Sequence, residues 1–137
     1  MEKYVHIVKY YETDKMGITH HSNYFRWMEE ARVDFFNKIG ISYKYLESIG
    51  VFSPVVNVEC NFVSPTTFED EVEIDVKVEE FKGVRLILNY QMKKNSGETV
   101  ATSKSSHCFV DKGGKLIILK RSFPELDEKL KAIANNN

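Results

Sequence analysis

The stretch Tyr11-Glu12-Thr13-Asp14-Lys15-Met16-Gly17-Ile18-Thr19-His20-His21-Ser22-Asn23-Tyr24 is where the period of the chain changes. Before it, Tyr4 to Tyr11 alternates and reads as a strand with Val5, Ile7 and Lys9 on one face. Glu12 to His21 breaks the alternation, contains Gly17 and reads as a loop. From Ser22 onward Tyr24, Trp27, Met28, Ala31, Phe35 and Ile39 recur at spacings of three and four, the mark of one apolar helical stripe. Ser22 is a suitable N-cap and Gly40 a suitable stop. Arg26, Glu30 and Asn37 then face solvent. Phe25, Glu29, Arg32 and Phe36 make a second stripe, with Glu29 and Arg32 spaced for an ion pair.

Downstream, Tyr43 to Ile49 suggests a short helical turn, and the rest reads mostly as strand. Val56, Val58, Cys60 and Phe62 share one face. Val72, Ile74, Val76 and Val78 alternate with charged residues, and Val84, Leu86, Leu88, Tyr90 and Met92 follow at even spacing after a turn at Phe81-Lys82-Gly83. Asn95-Ser96-Gly97 marks a second hairpin. A strand from Glu98 to Val110 and a last one over Leu116 to Leu119 complete the set, and Pro124 opens a C-terminal helix. The expected fold class is α+β, one long helix wrapped by a curled antiparallel sheet of about six strands.

Composition narrows the partners. The chain has 137 residues, which suits a single domain over 1–137, and 42% hydrophobic residues, enough for one core. Its 19 basic and 20 acidic residues are interspersed, so no basic patch attracts nucleic acid. Two cysteines, Cys60 and Cys108, are too few for a disulfide scaffold and suit a reducing cytoplasmic setting. No window approaches the roughly 18 consecutive apolar residues of a transmembrane segment, and the first residues do not form a signal peptide.

The chemistry concentrates in the opening stretch. Asp14, Gly17, His20 and His21 gather just before a helix start, which presents unpaired N–H groups and about half a positive charge. Such a terminus stabilises an oxygen that gains negative charge during acyl transfer. Gly17 lets the backbone come close to a ligand or take a conformation closed to other residues. A metal held by Asp14, His20, His21 and His107 is disfavoured, because adjacent histidines do not easily face one ion. On residue types alone, Asp14 reads more readily as a turn or capping residue than as a catalytic one.

The pattern Asp14-x-x-Gly17-x-x-x-His21-x-Asn23-Tyr24, followed by Met28-Glu29-x-Ala31-Arg32, resembles the 4-hydroxybenzoyl-CoA thioesterase-like hotdog family. It is most similar to the branch that includes the Tol-Pal-associated acyl-CoA thioesterases. Phe62-Val63-Ser64-Pro65 and Phe68-Glu69-Asp70-Glu71-Val72 resemble the family's segment between its second and third strands. The resemblance implies a hotdog fold and hydrolysis of an acyl-CoA thioester to acid and CoA, without cofactor or metal. It places the catalytic carboxylate on Asp14 and the carbonyl-binding helix-start N–H on His21. Gly17, His20, Asn23 and Tyr24 fall on loop and pocket positions. Arg85 and Arg121 rank first, before Lys82 and Lys104, for the CoA phosphates. The chain departs from the branch in having His20 where an aromatic residue is frequent and Glu69 where glycine is frequent.

The resemblance leaves Asp14 either as nucleophile or as general base. It also implies a homodimer or homotetramer whose subunits join their sheets, with the active site between them. His107 reads as a packed strand residue, and His6 as a strand residue with no evident partner. The alternatives are a hotdog module that binds acyl-CoA or acyl-carrier protein without turnover, and an enoyl-CoA hydratase.

Overall fold

In the computed structural model, which describes residues 2–136, the alternating segments pair into one antiparallel sheet. Its strands are β1 (Tyr4–Ile7), β2 (Val55–Phe62), β3 (Glu71–Lys82), β4 (Arg85–Lys94) and β5 (Thr99–His107), in the spatial order β1-β3-β4-β5-β2. Helix α1 (Ser22–Lys38) packs against β1, β2 and β3. A short α2 (Tyr43–Ser48) follows, capped by the Ser42 hydroxyl, which accepts the Tyr45 N–H. Helices α3 (Leu119–Ser122) and α4 (Pro124–Asn135) close the chain, and α4 lies on β3.

The sheet has five strands where about six were expected. The segment around Leu116 makes only an isolated bridge to Val110, and Leu119 already begins α3. β5 likewise ends at His107, short of Val110. Phe81 belongs to β3 and is buried, so the turn is Gly83-Val84. A bulge between Val78 and Glu80 causes this, because one extra residue reverses which parity faces the core.

The inward face of β1 is also the reverse of the expected one. Val5 and Ile7 are exposed, whereas His6 and Val8 are buried. The alternation was legible, but hydrophobicity picked the wrong side, because His6 finds polar partners inside. The expected Glu29–Arg32 ion pair does not form either. Glu29 is exposed, while Arg32 turns inward and donates from Nε to the Tyr43 hydroxyl (2.8 Å) and from Nη1 to the Tyr90 hydroxyl (3.0 Å). A hydroxyl inside the core needs a partner, and a guanidinium supplies several donors at once.

Beyond Tyr90 the polar chain continues through Ser105 Oγ (2.6 Å) to His107 Nε2 (2.7 Å). His107 is buried, as a packed strand histidine should be. Burial, with the Arg32 charge acting in the same direction, pushes its pKa down from 6.5 to about 4. The unfolded chain therefore takes up this proton first, and stability falls as pH drops from about 6.5 toward about 4. The full loss is about 3 kcal/mol. A His107→Gln protein should lose correspondingly less stability than the parent between pH 7 and pH 4 in urea titrations. Equal losses in the two proteins would show that His107 does not carry this pH dependence.

Candidate active site

The Asp14 loop is a closed local structure. Tyr10–Glu12 form a single 3₁₀ turn, and Thr13 bridges to Thr19. The Asp14 N–H donates to the Ile18 carbonyl (2.9 Å), and the Gly17 N–H donates to the Asp14 carbonyl (2.9 Å). Asp14 Oδ1 accepts the Met16 N–H (2.8 Å), an Asx turn that fixes the carboxylate while leaving the residue exposed. Gly17 sits at φ +78°, which explains the glycine, and its carbonyl accepts the Thr67 hydroxyl (2.7 Å). The Thr19 N–H donates to the Thr66 carbonyl (2.9 Å). These two threonines tie the loop to the connection before β3.

Helix α1 begins at Ser22, but Ser22 is not the N-cap. His21 occupies that position, with no capping bond from its side chain. The capping role has moved back to His20, whose Nδ1 accepts the Ser22 N–H (3.2 Å) and pairs with Ser22 Oγ (2.8 Å). The Asn23 N–H is taken by the His20 carbonyl and the Tyr24 N–H by the His21 carbonyl. Among the described residues, the His21 N–H has no hydrogen-bond partner. It is a free donor at the positive end of α1.

Asn23 holds loop and helix together, donating from Nδ2 to the carbonyls of Glu12 (3.0 Å) and His20 (3.2 Å). Tyr24 is buried with its hydroxyl 3.0 Å from Thr66 Oγ1, and burial pushes its pKa up. Two recesses flank this junction. A cleft of about 770 Å³ is lined by Asp14, His20, Ser22 and Asn23 together with Tyr4, His6, Glu12 and Glu30. A smaller groove of about 260 Å³ runs along His21, Tyr24, Phe62 and Pro65. Thus Asp14 and His20 share one recess, while the His21 ring lies in the neighbouring one, edge-on to Phe62.

Other sequence candidates lie elsewhere. Arg85 and Arg121 are exposed and line neither recess. Lys82 is exposed at the end of β3, and Lys104 pairs with Glu79 (3.0 Å). Glu69 adopts φ +72°, so its place is one that glycine occupies without strain. Among the described residues, no group of histidine, cysteine or acidic side chains is arranged to hold a metal.

His6 does have partners, and the cluster around it went unread. Its Nε2 donates to Glu12 Oε1 (2.8 Å), and its Nδ1 lies 3.6 Å from Glu30 Oε1. Glu12 is buried and also accepts the Lys9 N–H and the Trp27 Nε1–H, each at 2.8 Å. Burial pushes the Glu12 carboxyl up, but these donors outweigh it and hold the pKa below the ordinary glutamate value. The sequence signal was present, since a 3₁₀ turn brings a glutamate back to its cap, but Trp27 is fifteen residues away.

Known proteins share this fold. Residues 8–133 match the model of the thioesterase-like superfamily. YneP of Bacillus subtilis, provisionally named an acyl-CoA thioesterase, is 34% identical over 119 residues, covering 86% of each chain. A 1,4-dihydroxy-2-naphthoyl-CoA hydrolase of Prochlorococcus marinus is 27% identical over 112 residues, covering 76% of this chain and 72% of its own. The crystal structure of a DHNA-CoA thioesterase from Staphylococcus aureus superimposes with a TM-score of 0.90 at 30% identity, covering 98% of this chain and 93% of the other. The five-stranded sheet with its helices is accordingly hotdog-like, and the chain belongs to the thioesterase-like superfamily.

Proposed function

We propose that this protein is an acyl-CoA thioesterase, releasing a free acid and CoA, with Asp14 as its catalytic carboxylate. The observation that carries this reading is that the loop entering α1 holds both a fixed, exposed Asp14 carboxylate and, at the helix start, an unpartnered His21 N–H. A thioester carbonyl placed at that N–H gains an oxyanion donor and the favourable end of the helix dipole. Asp14 then either attacks the carbonyl carbon, giving an anhydride that water opens, or takes a proton from the water that attacks. In both routes the C–S bond breaks and the thiolate leaves with the electron pair. Thiolate is a good leaving group, so a general acid is less necessary than in amide hydrolysis.

His20 borders the Asp14 recess, and Gly17 keeps the loop in its positive-φ conformation. Tyr24 and the His21 ring shape the groove that receives part of the acyl group, and Asn23 locks loop to helix. Arg85 and Arg121 remain the proposed contacts for the CoA phosphates, reached from outside both recesses. Free Cys60 and Cys108 suit a reducing compartment, and we place the activity in the cytoplasm.

The substrate is best approached through the relatives. Those named above act on 1,4-dihydroxy-2-naphthoyl-CoA or carry an acyl-CoA thioesterase name, and the groove beside His21 is walled by the Tyr24 and Phe62 rings. A panel of aromatic, short-chain and long-chain acyl-CoAs, followed with a thiol reagent, tests the proposal. The expected result is thiol release, with a preference for at least one class. Tight binding without release would instead indicate a non-catalytic module, and loss of enoyl absorbance without free thiol would indicate a hydratase.

Subunit pairing belongs to the same proposal. Among the described residues β2 is an edge strand, hydrogen-bonded to β5 on one side only. Val56, Val58 and Phe62 on it are exposed. A bare apolar edge invites another strand. Joining two β2 edges gives a homodimer with one continuous sheet, and pairs of dimers give the homotetramer. Phe62 touches both His21 and Tyr24, so the pairing seam runs to the start of α1 and completes the site there.

A further inference from the structure

Glu12 is a buried charge that the hydrolytic scheme above does not use. Its carboxylate gathers three donors from three different places: the Lys9 backbone before the 3₁₀ turn, the His6 ring on β1, and the Trp27 indole on α1. Burying a carboxylate is costly unless it is fully hydrogen-bonded, so these contacts have to form together. His6 also packs against Trp27, with ring centroids 4.5 Å apart, which keeps both donors aimed at the same carboxylate.

The backbone of the same residue faces the other way. The Glu12 carbonyl accepts the His20 N–H (2.8 Å) and Asn23 Nδ2–H (3.0 Å), at the far end of the Asp14 loop. Glu12 therefore clamps both ends of the segment 13–20. Its side chain anchors the near end to β1 and α1, and its carbonyl fastens the far end where the helix begins. Asp14 lies two residues beyond the clamp, and the free His21 N–H lies one residue beyond His20. Within the loop, Asp14 is held by the Ile18 carbonyl and by its own Asx turn. Those contacts preserve the loop's internal shape but do not orient it on the helix.

We infer that Glu12 is a positioning residue: its buried carboxylate sets the orientation of the Asp14 carboxylate relative to the His21 N–H. The inference rests on the catalytic reading of Asp14 above. It extends that reading by assigning the alignment of base and oxyanion donor to a residue whose carboxylate is taken up by three donors of the protein itself. The cause is geometric. A displacement of about 1 Å between reacting groups costs a rate factor of about 10², while leaving the more forgiving contacts that bind substrate intact.

The test is Glu12→Gln, which preserves shape but turns an amide N–H toward at least one of the three donors. The expected result is a kcat about tenfold lower with KM within about twofold of the parent, at temperatures well below the melting point. A purely stabilising role would lower the melting temperature and leave kcat unchanged. A folded Glu12→Gln protein whose kcat falls less than about fivefold, or whose loss lies in KM, overturns the inference. Should that variant fail to fold, His6→Phe decides the matter, because it keeps a ring against Trp27 and deletes one donor. A kcat loss of about threefold or more at unchanged KM supports positioning, and any smaller loss overturns it. Asp14→Asn assayed in parallel separates the two levels. If that variant is active, the catalytic reading fails. If it is inactive while Glu12→Gln turns over normally, only the positioning role fails.

Discussion

Asp14→Asn is expected to fold, to bind acyl-CoA and to turn it over about 10³-fold more slowly than the parent. The asparagine oxygen can still accept the Met16 N–H, so the Asx turn and the loop around it should persist. Asp14 is exposed and makes no ion pair among the described residues, so losing its charge removes no buried interaction. Stability should change little. What disappears is an ionised oxygen able to attack carbon or to take a proton, a deficit of about 4 kcal/mol in the barrier. The check is kcat from thiol release together with a Kd for a non-hydrolysable thioether analogue. A variant that turns over like the parent would remove the carboxylate from the mechanism. Label found on Asp14 after turnover of the parent in ¹⁸O water would identify the anhydride route, because water that opens an anhydride at the aspartyl carbonyl leaves its oxygen there, whereas general-base attack never places oxygen on Asp14.

Val58→Asp should break the assembly and the activity together. Val58 is exposed on β2, shares a face with Cys60 and Phe62 below the register shift between Val55 and Asn57, and among the described residues its strand pairs with β5 alone. A two-fold axis across paired β2 edges brings each substitution to the interface twice, so two carboxylates enter an apolar seam. Like charges placed in an interface cost several kcal/mol, which is enough to dissociate a micromolar dimer. The chain itself should remain folded, because Val58 already faces solvent in the single subunit. Sedimentation or light scattering should report a monomer, and thiol release should fall to near background because the groove at His21 and Phe62 loses its second wall. A monomer with full activity would place the whole site within one chain. A parent that is itself monomeric at micromolar concentration would remove the shared-site proposal.

Much of this architecture was legible residue by residue. The change from period two to spacings of three and four at Ser22 located α1, because backbone geometry alone sets which side chains share a face. Asn95-Ser96-Gly97 located a hairpin, and Gly97 does take a positive φ there. The spacing from Asp14 through Gly17 to His21 led to a family that the comparisons bear out. The roles of the individual residues within that pattern are proposals, and the two variants above address them directly.

Two of the misread features share one cause, a polar partner beyond their own element, and the third is a bulge. The buried face of β1 was inverted because His6 is polar, and its hydrogen bond to Glu12 makes its burial tolerable. Glu29 and Arg32 looked paired at helical spacing, yet Arg32 reaches a tyrosine 58 positions away. The parity of β3 reversed at a bulge that no alternation pattern announces.

By itself, then, the sequence determined most of the elements and their order, though not the missing sixth strand or α3, and the loop on which Asp14 sits, since these depend on contacts within a few residues. Only the tertiary structure decided which polar groups are buried, that β2 remains an open edge, and that the helix start keeps the His21 N–H free. Those outcomes depend on where distant partners arrive, and the cost of an unpaired buried group leaves few arrangements in which Glu12, His6 and Trp27 can all be satisfied at once.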